Sequence, residues 1–278
     1  MMSRQRARRF AAIYAGAGLV LAWSAGPFIW QLSTSFQDDR ELTASTPSFW
    51  PSPGTLEHYG NVFSVKCFQS YILNSLVVAT LTTLLCLVVG SLAAFSLARL
   101  RIKGRLGTLG VILAISMFPQ IALVGPLYLV AANLDLLDTY MGLVLVYLAL
   151  GLPLVTWVMF GYFDTLPREI DESARIDGVG TLGLLVRIIL PMSLPSLVTT
   201  GLLAFIAAWN EFMFALAFTS TTAHQTIPVG IANFTSLYFV PWGDISAASV
   251  VVTVPLIALV LTFQRHIIDG LTQGAVKE

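Results

Sequence analysis

The sequence predicts an all-α integral membrane protein with six transmembrane helices and both termini in the cytoplasm. Three observations carry this. Hydrophobic residues make up 56% of the 278 positions and charged residues only 11%, against roughly 25% charged in a soluble domain. The apolar residues fall into long stretches, each near the roughly 20 residues that a helix needs to cross a bilayer. The basic residues gather in segments that a single orientation places on one side. Backbone amides in hydrocarbon must be bonded internally, and these stretches are too long and too uniformly apolar for alternating barrel strands, so helices remain.

The expected spans are residues 10–32, 71–98, 106–131, 140–163, 196–219 and 245–264. The first follows Arg4, Arg6, Arg8 and Arg9 and resembles a secretory signal. Its 23-residue apolar run exceeds the 7–15 residues of a signal core, and no clear small-residue cleavage site follows, so a retained anchor is expected. Arg99, Arg101, Lys103 and Arg105 separate spans two and three. Arg168, Arg175 and Arg187 separate spans four and five, and Arg265 and Lys277 follow span six. These are 13 of the 15 basic residues, with only Arg40 and Lys66 left for the outside. Short cytoplasmic loops retain Lys and Arg, which sets the expected orientation. The formal net charge of zero hides the asymmetry and points to no nucleic-acid partner.

The outer segments differ in character. Residues 33–70 carry Pro47, Pro51, Pro53 and Gly54 among polar residues and read as a loop. Asp135 and Asp138 mark the turn between spans three and four. Residues 220–244 contain no Lys or Arg but hold Ile227, Val229, Ile231, Phe234, Tyr238, Phe239 and Trp242. So apolar a connection reads either as a partner surface or as an aromatic belt at the headgroups. Cys67 and Cys86 are 19 positions apart, about 28 Å along a helix, too far for a disulfide that needs Cα atoms within about 7 Å.

The inner connection, residues 164–195, has a pattern of its own. Asp164 or Thr165 can cap a helix that opens with Pro167, and Glu169, Asp171 and Glu172 put negative charge at the positive end of its dipole. The helix should end near Asp177, stopped by Gly178 and Gly180. Thr181 can cap a second helix with Leu182, Leu185, Val186 and Ile189 on one face, ended by Pro191 and Pro195. Two short helices bent at glycine form either a rigid knob suited to mechanical coupling or an interfacial element lying on the headgroups.

The residues of this loop resemble a known motif. Glu172, Ser173, Ala174, Asp177 and Gly178, followed by Leu190, Pro191 and Pro195, are similar to the E-A-A-x-x-D-G loop, with L-P following, of permease subunits in binding-protein-dependent ABC importers. Ser173 replaces an alanine, Val179 a common alanine and Leu185 a frequent phenylalanine, each keeping a small or apolar side chain. Asn74-Ser75-Leu76, Trp209-Asn210-Glu211-Phe212, Phe263-Gln264-Arg265, Gly270-Leu271-Thr272 and Gly274-Ala275-Val276-Lys277 resemble the shorter permease subunit of maltose- and trehalose-type sugar importers. This likeness covers essentially the whole chain.

The resemblance implies a single permease domain of the type I ABC importer fold in a bacterial or archaeal cytoplasmic membrane. It also implies a heteromeric complex with a second permease, two cytoplasmic ATPase subunits that carry ATP and Mg2+, and an extracytoplasmic sugar-binding protein. Glu172, Ser173, Ala174, Asp177, Gly178, Leu190 and Pro191 would form the ATPase-coupling loop. The tail, residues 265–278 with Gly270, Leu271, Thr272, Gly274, Val276 and Lys277, would reach the ATPase pair. Ile231, Asn233, Phe234, Tyr238 and Trp242 would meet the binding protein.

Little other chemistry is expected. No G-x-x-x-x-G-K-[ST] phosphate loop occurs, so this chain is not expected to be an enzyme or to bind a cofactor. His58, His224 and His266 are too scattered for a metal site. Glu211, the one carboxylate well inside an expected span, reads with Trp209 and Asn210 as a translocation-path candidate or as an outer-interface residue. Pro119, Pro126 and Pro153 shape a gate or kink their helices. Tyr147, Trp157 and Phe205 stack on sugar or pack. An ion-driven transporter would show matched intramembrane charges or broken helices in repeats, and an enzyme would show convergent catalytic groups; neither pattern stands out, whereas a scaffold is harder to separate by sequence.

Overall fold

The computed structural model describes residues 4–44, 46, 48–100, 102–236 and 238–273, and among these all regular secondary structure is helical. The helices in chain order are α1 (Arg4–Thr34), α2 (Asp39–Leu42), α3 (Glu57–Ser64), α4 (Phe68–Arg99), α5 (Arg105–Ser116), α6 (Gln120–Asn133), α7 (Tyr140–Thr165) and α8 (Glu169–Ile176). Then follow α9 (Thr181–Gly183), a π-helical stretch (Leu184–Ile189), α10 (Leu190–Met192), α11 (Leu194–Trp209), α12 (Met213–Phe218), α13 (Ile227–Ala232) and α14 (Trp242–Gln273).

Four helical segments are individually long and apolar enough to cross a membrane: Ala12–Thr34, Phe68–Arg99, Tyr140–Thr165 and Trp242–Arg265. The third expected span is not one continuous helix. It breaks between α5 and α6, which meet at 89°, because Pro119 lacks an amide proton and pushes the residue before it out of helical geometry. The fifth also breaks, with Asn210, Glu211 and Phe212 separating α11 from α12. A second bent pair, Thr181–Met192 with Leu194–Trp209, turns through 84°. Counting each bent pair as one span allows up to six crossings.

The contacts group into two compact units. One comprises residues 1–68 and 231–254. Residues 33–70 are not the plain loop expected, because α2 and α3 form within them. Asp38 caps α2 through the Arg40 amide at 2.9 Å, and Gln37 donates to the Ser48 carbonyl at 2.7 Å. His58 and Val62, on the inner face of α3, are buried.

The other unit comprises residues 69–230 and 255–278. Here α4 lies close against α7 and α11 because glycines remove side chains at the crossings. A Cβ at Gly90 would sit 2.6 Å from Val155, and one at Gly201 would sit 3.1 Å from Leu87. At one end of the unit Phe95, Ala98, Phe160, Phe163, Ala174, Leu185 and Ile189 form a continuous buried cluster. At the other end Asn74 donates to the carbonyls of Thr222 (3.1 Å) and Gln225 (2.9 Å), and Ser75 accepts the Ile227 amide at 2.8 Å. The Asn-Ser pair noted in the sequence thus fastens the connection between α12 and α13. Asp138, at φ +52°, accepts the amides of Ser220 and Thr221 and the Thr221 hydroxyl. Burial opposes its charge, but these donors and nearby His224 hold its carboxyl below the usual range. Cys67 and Cys86 are both free.

Candidate coupling and translocation sites

The segment from α8 to α10 holds two helical pieces joined through residues 177–180. Glu169, Asp171 and Glu172 occupy the first turn of α8, where the exposed amides favour negative charge. Neither Asp164 nor Thr165 caps it, since both belong to the last turn of α7 and Arg168 holds the cap position without a side-chain bond. The end is as expected. Gly178 takes φ +74°, its amide bonds the Arg175 carbonyl at 3.1 Å, and the Val179 amide bonds the Ala174 carbonyl at 2.9 Å. This paired closure of a helix C-terminus needs the left-handed backbone that glycine supplies.

The second helix starts one residue earlier than expected, with Gly180, not Thr181, at the cap. Its inward face also differs from the expected Leu182, Leu185, Val186 and Ile189. Leu184, Leu185 and Ile189 are buried, while Leu182 and Val186 are exposed. The cause is the π-helical stretch, whose i→i+5 bonding lengthens the repeat and brings Leu184 and Ile189 to one side.

A buried ion pair ties α8 to the helix bundle. The Arg99 side chain is closed to solvent, and its Nη2 stands 3.1 Å from Oδ1 of Asp171. The same guanidinium donates to the carbonyls of Leu166 (2.8 Å) and Pro167 (3.0 Å). In return, Arg168 donates to the Ala98 carbonyl at 2.8 Å, satisfying a carbonyl at the end of α4 that has no helical partner. Arg105 and Arg168 share Oδ1 of Asp164, at 3.0 and 3.4 Å. Displacing α8 therefore pulls on the ends of α4 and α7. The Arg99–Asp171 pair is not legible in the sequence, because its members lie far apart in the chain and Arg99 reads locally as one more basic loop residue.

Of the coupling candidates, Ala174 is buried and anchors α8, while Glu172, Ser173, Asp177, Gly178 and Pro191 are exposed and Leu190 is half-buried. Ile176, 87% exposed, adds an apolar tip that the sequence reading did not single out.

The three path candidates separate. Trp209 is buried and stacks on Phe205 at 5.5 Å. Asn210 is exposed and donates to the Ile206 carbonyl at 2.8 Å. Glu211 accepts the amides of Phe214 (2.9 Å) and Ala215 (3.1 Å), so it both starts α12 and lines a cavity of about 120 Å³ with Thr82, Gln120 and Tyr147. Trp157 is half exposed.

In the segment before α14, Phe234 is buried against Phe68, ring centroids 5.6 Å apart, with the Lys66 ammonium 5.2 Å above its ring. Ile231 is half-buried and Asn233 exposed. Tyr238 (98% exposed), Phe239 and Trp242 present the apolar surface. Gly270, Leu271 and Thr272 continue α14; Gly274, Val276 and Lys277 lie outside the described residues.

An all-helical chain with several helices long and apolar enough to cross a membrane, two broken apolar pairs and an anchored helical segment between α7 and α11 has the build of a multi-pass membrane protein. The chain belongs to the family described as the binding-protein-dependent transport system inner membrane component, which it matches over residues 86–273, in the sugar ABC importer branch. It is 44% identical over 270 residues to the trehalose/maltose transport system permease protein MalG of Thermococcus litoralis, covering 94% of this chain and 95% of that protein. It is 38% identical to the sulfoquinovosyl glycerol transport system permease protein SmoH of Agrobacterium fabrum, covering 95% and 93%. A solved bacterial ABC transporter involved in import of the acidic polysaccharide alginate has a chain of the same fold, with TM-score 0.79, 23% identity, and coverage of 95% and 98%.

Proposed function

We propose that the chain is the shorter permease subunit of an ATP-driven importer that passes a disaccharide or oligosaccharide, such as trehalose or maltose, from an extracytoplasmic binding protein into the cytoplasm by alternating access. In this reading it forms one permease domain that crosses the membrane six times, each bent pair of helices contributing a crossing, with both termini cytoplasmic. A second permease and two ATPase subunits complete the complex. ATP and Mg2+ bind the ATPases, and this chain catalyses no reaction itself.

The observation that carries the reading is the exposed face of α8, with Glu172, Ser173, Ile176 and Asp177, on a helix closed at Gly178 and clamped to the ends of α4 and α7 by Arg99. Reversing a 1:99 population takes about 5.5 kcal/mol of differential binding, and a rigid, anchored element transmits such a bias where a loose loop would dissipate it. The tail from Gly270 to Lys277 would contact the ATPase pair, the Tyr238–Trp242 surface would contact the binding protein, and the Glu211 cavity would lie on the sugar's route. Relatives named for trehalose/maltose and sulfoquinovosyl glycerol support a glycoside as cargo.

The test is uptake of labelled trehalose or maltose by vesicles holding the full complex. Gly178→Pro forces φ near −65° where the chain needs +74°, and Glu172→Lys reverses an exposed charge. Both are expected to abolish uptake while membrane insertion stays normal. Wild-type uptake by both variants would remove α8 from the mechanism.

A further inference from the structure

A second site lies beside the coupling helix, on the side that faces the ends of the membrane helices. Arg99, Leu100, Ile102, Lys103, Arg105, Arg168, Asp171, Glu172 and Arg175 enclose a cavity of about 520 Å³. Five of these side chains are cationic and two are anionic. Asp164, bonded to Arg105 and Arg168, adds one more negative charge, so the site keeps an excess of two positive charges. Arg99 spends its charge on Asp171, while its buried Nε has no hydrogen-bond partner. Among the described residues, Lys103 and Arg175 form no ion pair, and both are exposed.

The cavity's level along the bundle narrows the choice of ligand. It sits where α4 ends at Arg99, where α5 begins at Arg105 and where α7 ends at Thr165. Exposed Ile102 and Leu106 flank it. An unneutralised basic pocket at the ends of apolar helices, with apolar side chains at its rim, matches a ligand that carries both a phosphate and acyl chains. We propose that this cavity binds the phosphodiester headgroup of an anionic membrane phospholipid, with Lys103 and Arg175 as the exposed cations that engage it and Arg99 as its buried inner wall. The lipid would bridge the α4–α5 connection to α8, so that membrane composition bears on how firmly the coupling helix is held.

The inference rests on the proposed placement of this end at the cytoplasmic leaflet. The experiment reconstitutes the complete complex in nanodiscs of phosphatidylcholine containing a photoreactive phosphatidylglycerol, and maps the labelled peptides. Labelling is expected in 99–105 and 169–176, and to fall about fivefold for each of Lys103→Gln and Arg175→Gln, the weight of one cation near an anionic surface. It should persist in millimolar inorganic phosphate and with the ATPases bound. Competition by phosphate would make the pocket a free-anion site, and labelling seen only without the ATPases would make it part of the subunit interface; either result overturns the lipid assignment. Equal labelling by a photoreactive phosphatidylcholine would overturn it too. Co-purification of the ATPases with both variants shows that the fold is intact, and uptake of sugar by the same preparations reads the importer assignment separately.

Discussion

At the scale of single residues, His58 shows how the segment that carries α2 and α3 is fixed. Its ring is 4% exposed. Nε2 stands 2.8 Å from the Gln37 carbonyl and Nδ1 stands 2.9 Å from Asp244 Oδ1, while Asp39 lies 4.0 Å from Nε2. A carbonyl only accepts, so Nε2 carries a proton, and an ionised Asp244 favours a second proton on Nδ1. Burial opposes the charged ring, but the Asp244 and Gln37 bonds and the charges of Asp39 and Asp244 outweigh it and raise the pKa. A raised folded-state pKa gives stability that is fully present below the unfolded value of about 6.5 and is lost as pH rises through the folded value. Protection factors of the amides over residues 35–66, which remove the intrinsic rise of exchange with pH, are therefore expected to be high near pH 6 and to fall by roughly tenfold at high pH, a change worth one charge-assisted hydrogen bond. His58→Gln should show low protection at both. A flat profile in the wild type would mean that the ring is neutral when folded. Gly243 belongs to the same arrangement, because a Cβ there would overlap the imidazole.

At the scale of elements, α8 hangs on the Arg99–Asp171 pair. Removing one member of a buried pair leaves the other charge uncompensated, which costs about 3–5 kcal/mol, while replacing both with apolar groups is often close to neutral. Asp171→Ala is expected to make α8 accessible to protease and to lower the thermal transition of the detergent-solubilised complex. Arg99→Met with Asp171→Leu should recover most of that loss. If the single change leaves both readouts untouched, the anchor lies elsewhere.

Much of α8 was legible beforehand because its signals are local: acidic residues in the first turn, then a glycine whose positive φ is written into its identity. Its anchor was not, since Arg99 and Asp171 meet only through the fold. The π-helical stretch was equally hidden, because Leu182, Leu185, Val186 and Ile189 satisfy an α-helical repeat that backbone bonding then overrides. The break at Pro119 had a visible cause in the sequence, but an 89° bend depends on what packs around it.

At the scale of the whole molecule, the question is how a complex would read the state of this chain. α14 runs from the exposed Trp242 to Gln273, and under the proposed reading its far end meets the ATPase pair. Truncation after Gly270 is expected to leave insertion unchanged and to weaken the dependence of ATP hydrolysis on the binding protein. Unaltered receptor dependence in the truncated complex would show that regulation does not pass through the tail.

The first helix has the opposite character. None of its most apolar stretch between Ala12 and Thr34 is buried within the chain, and Trp23 and Leu21 are largely exposed. Apart from its last turn, where Trp30 meets Phe49 and Ser33 and Thr34 are buried, such a rod has few neighbours in its own polypeptide, and partitioning is what would hold it. It can enter the bilayer as soon as it leaves the ribosome, and its tilt is then set by lipid thickness and interfacial anchors or by another protein's helices.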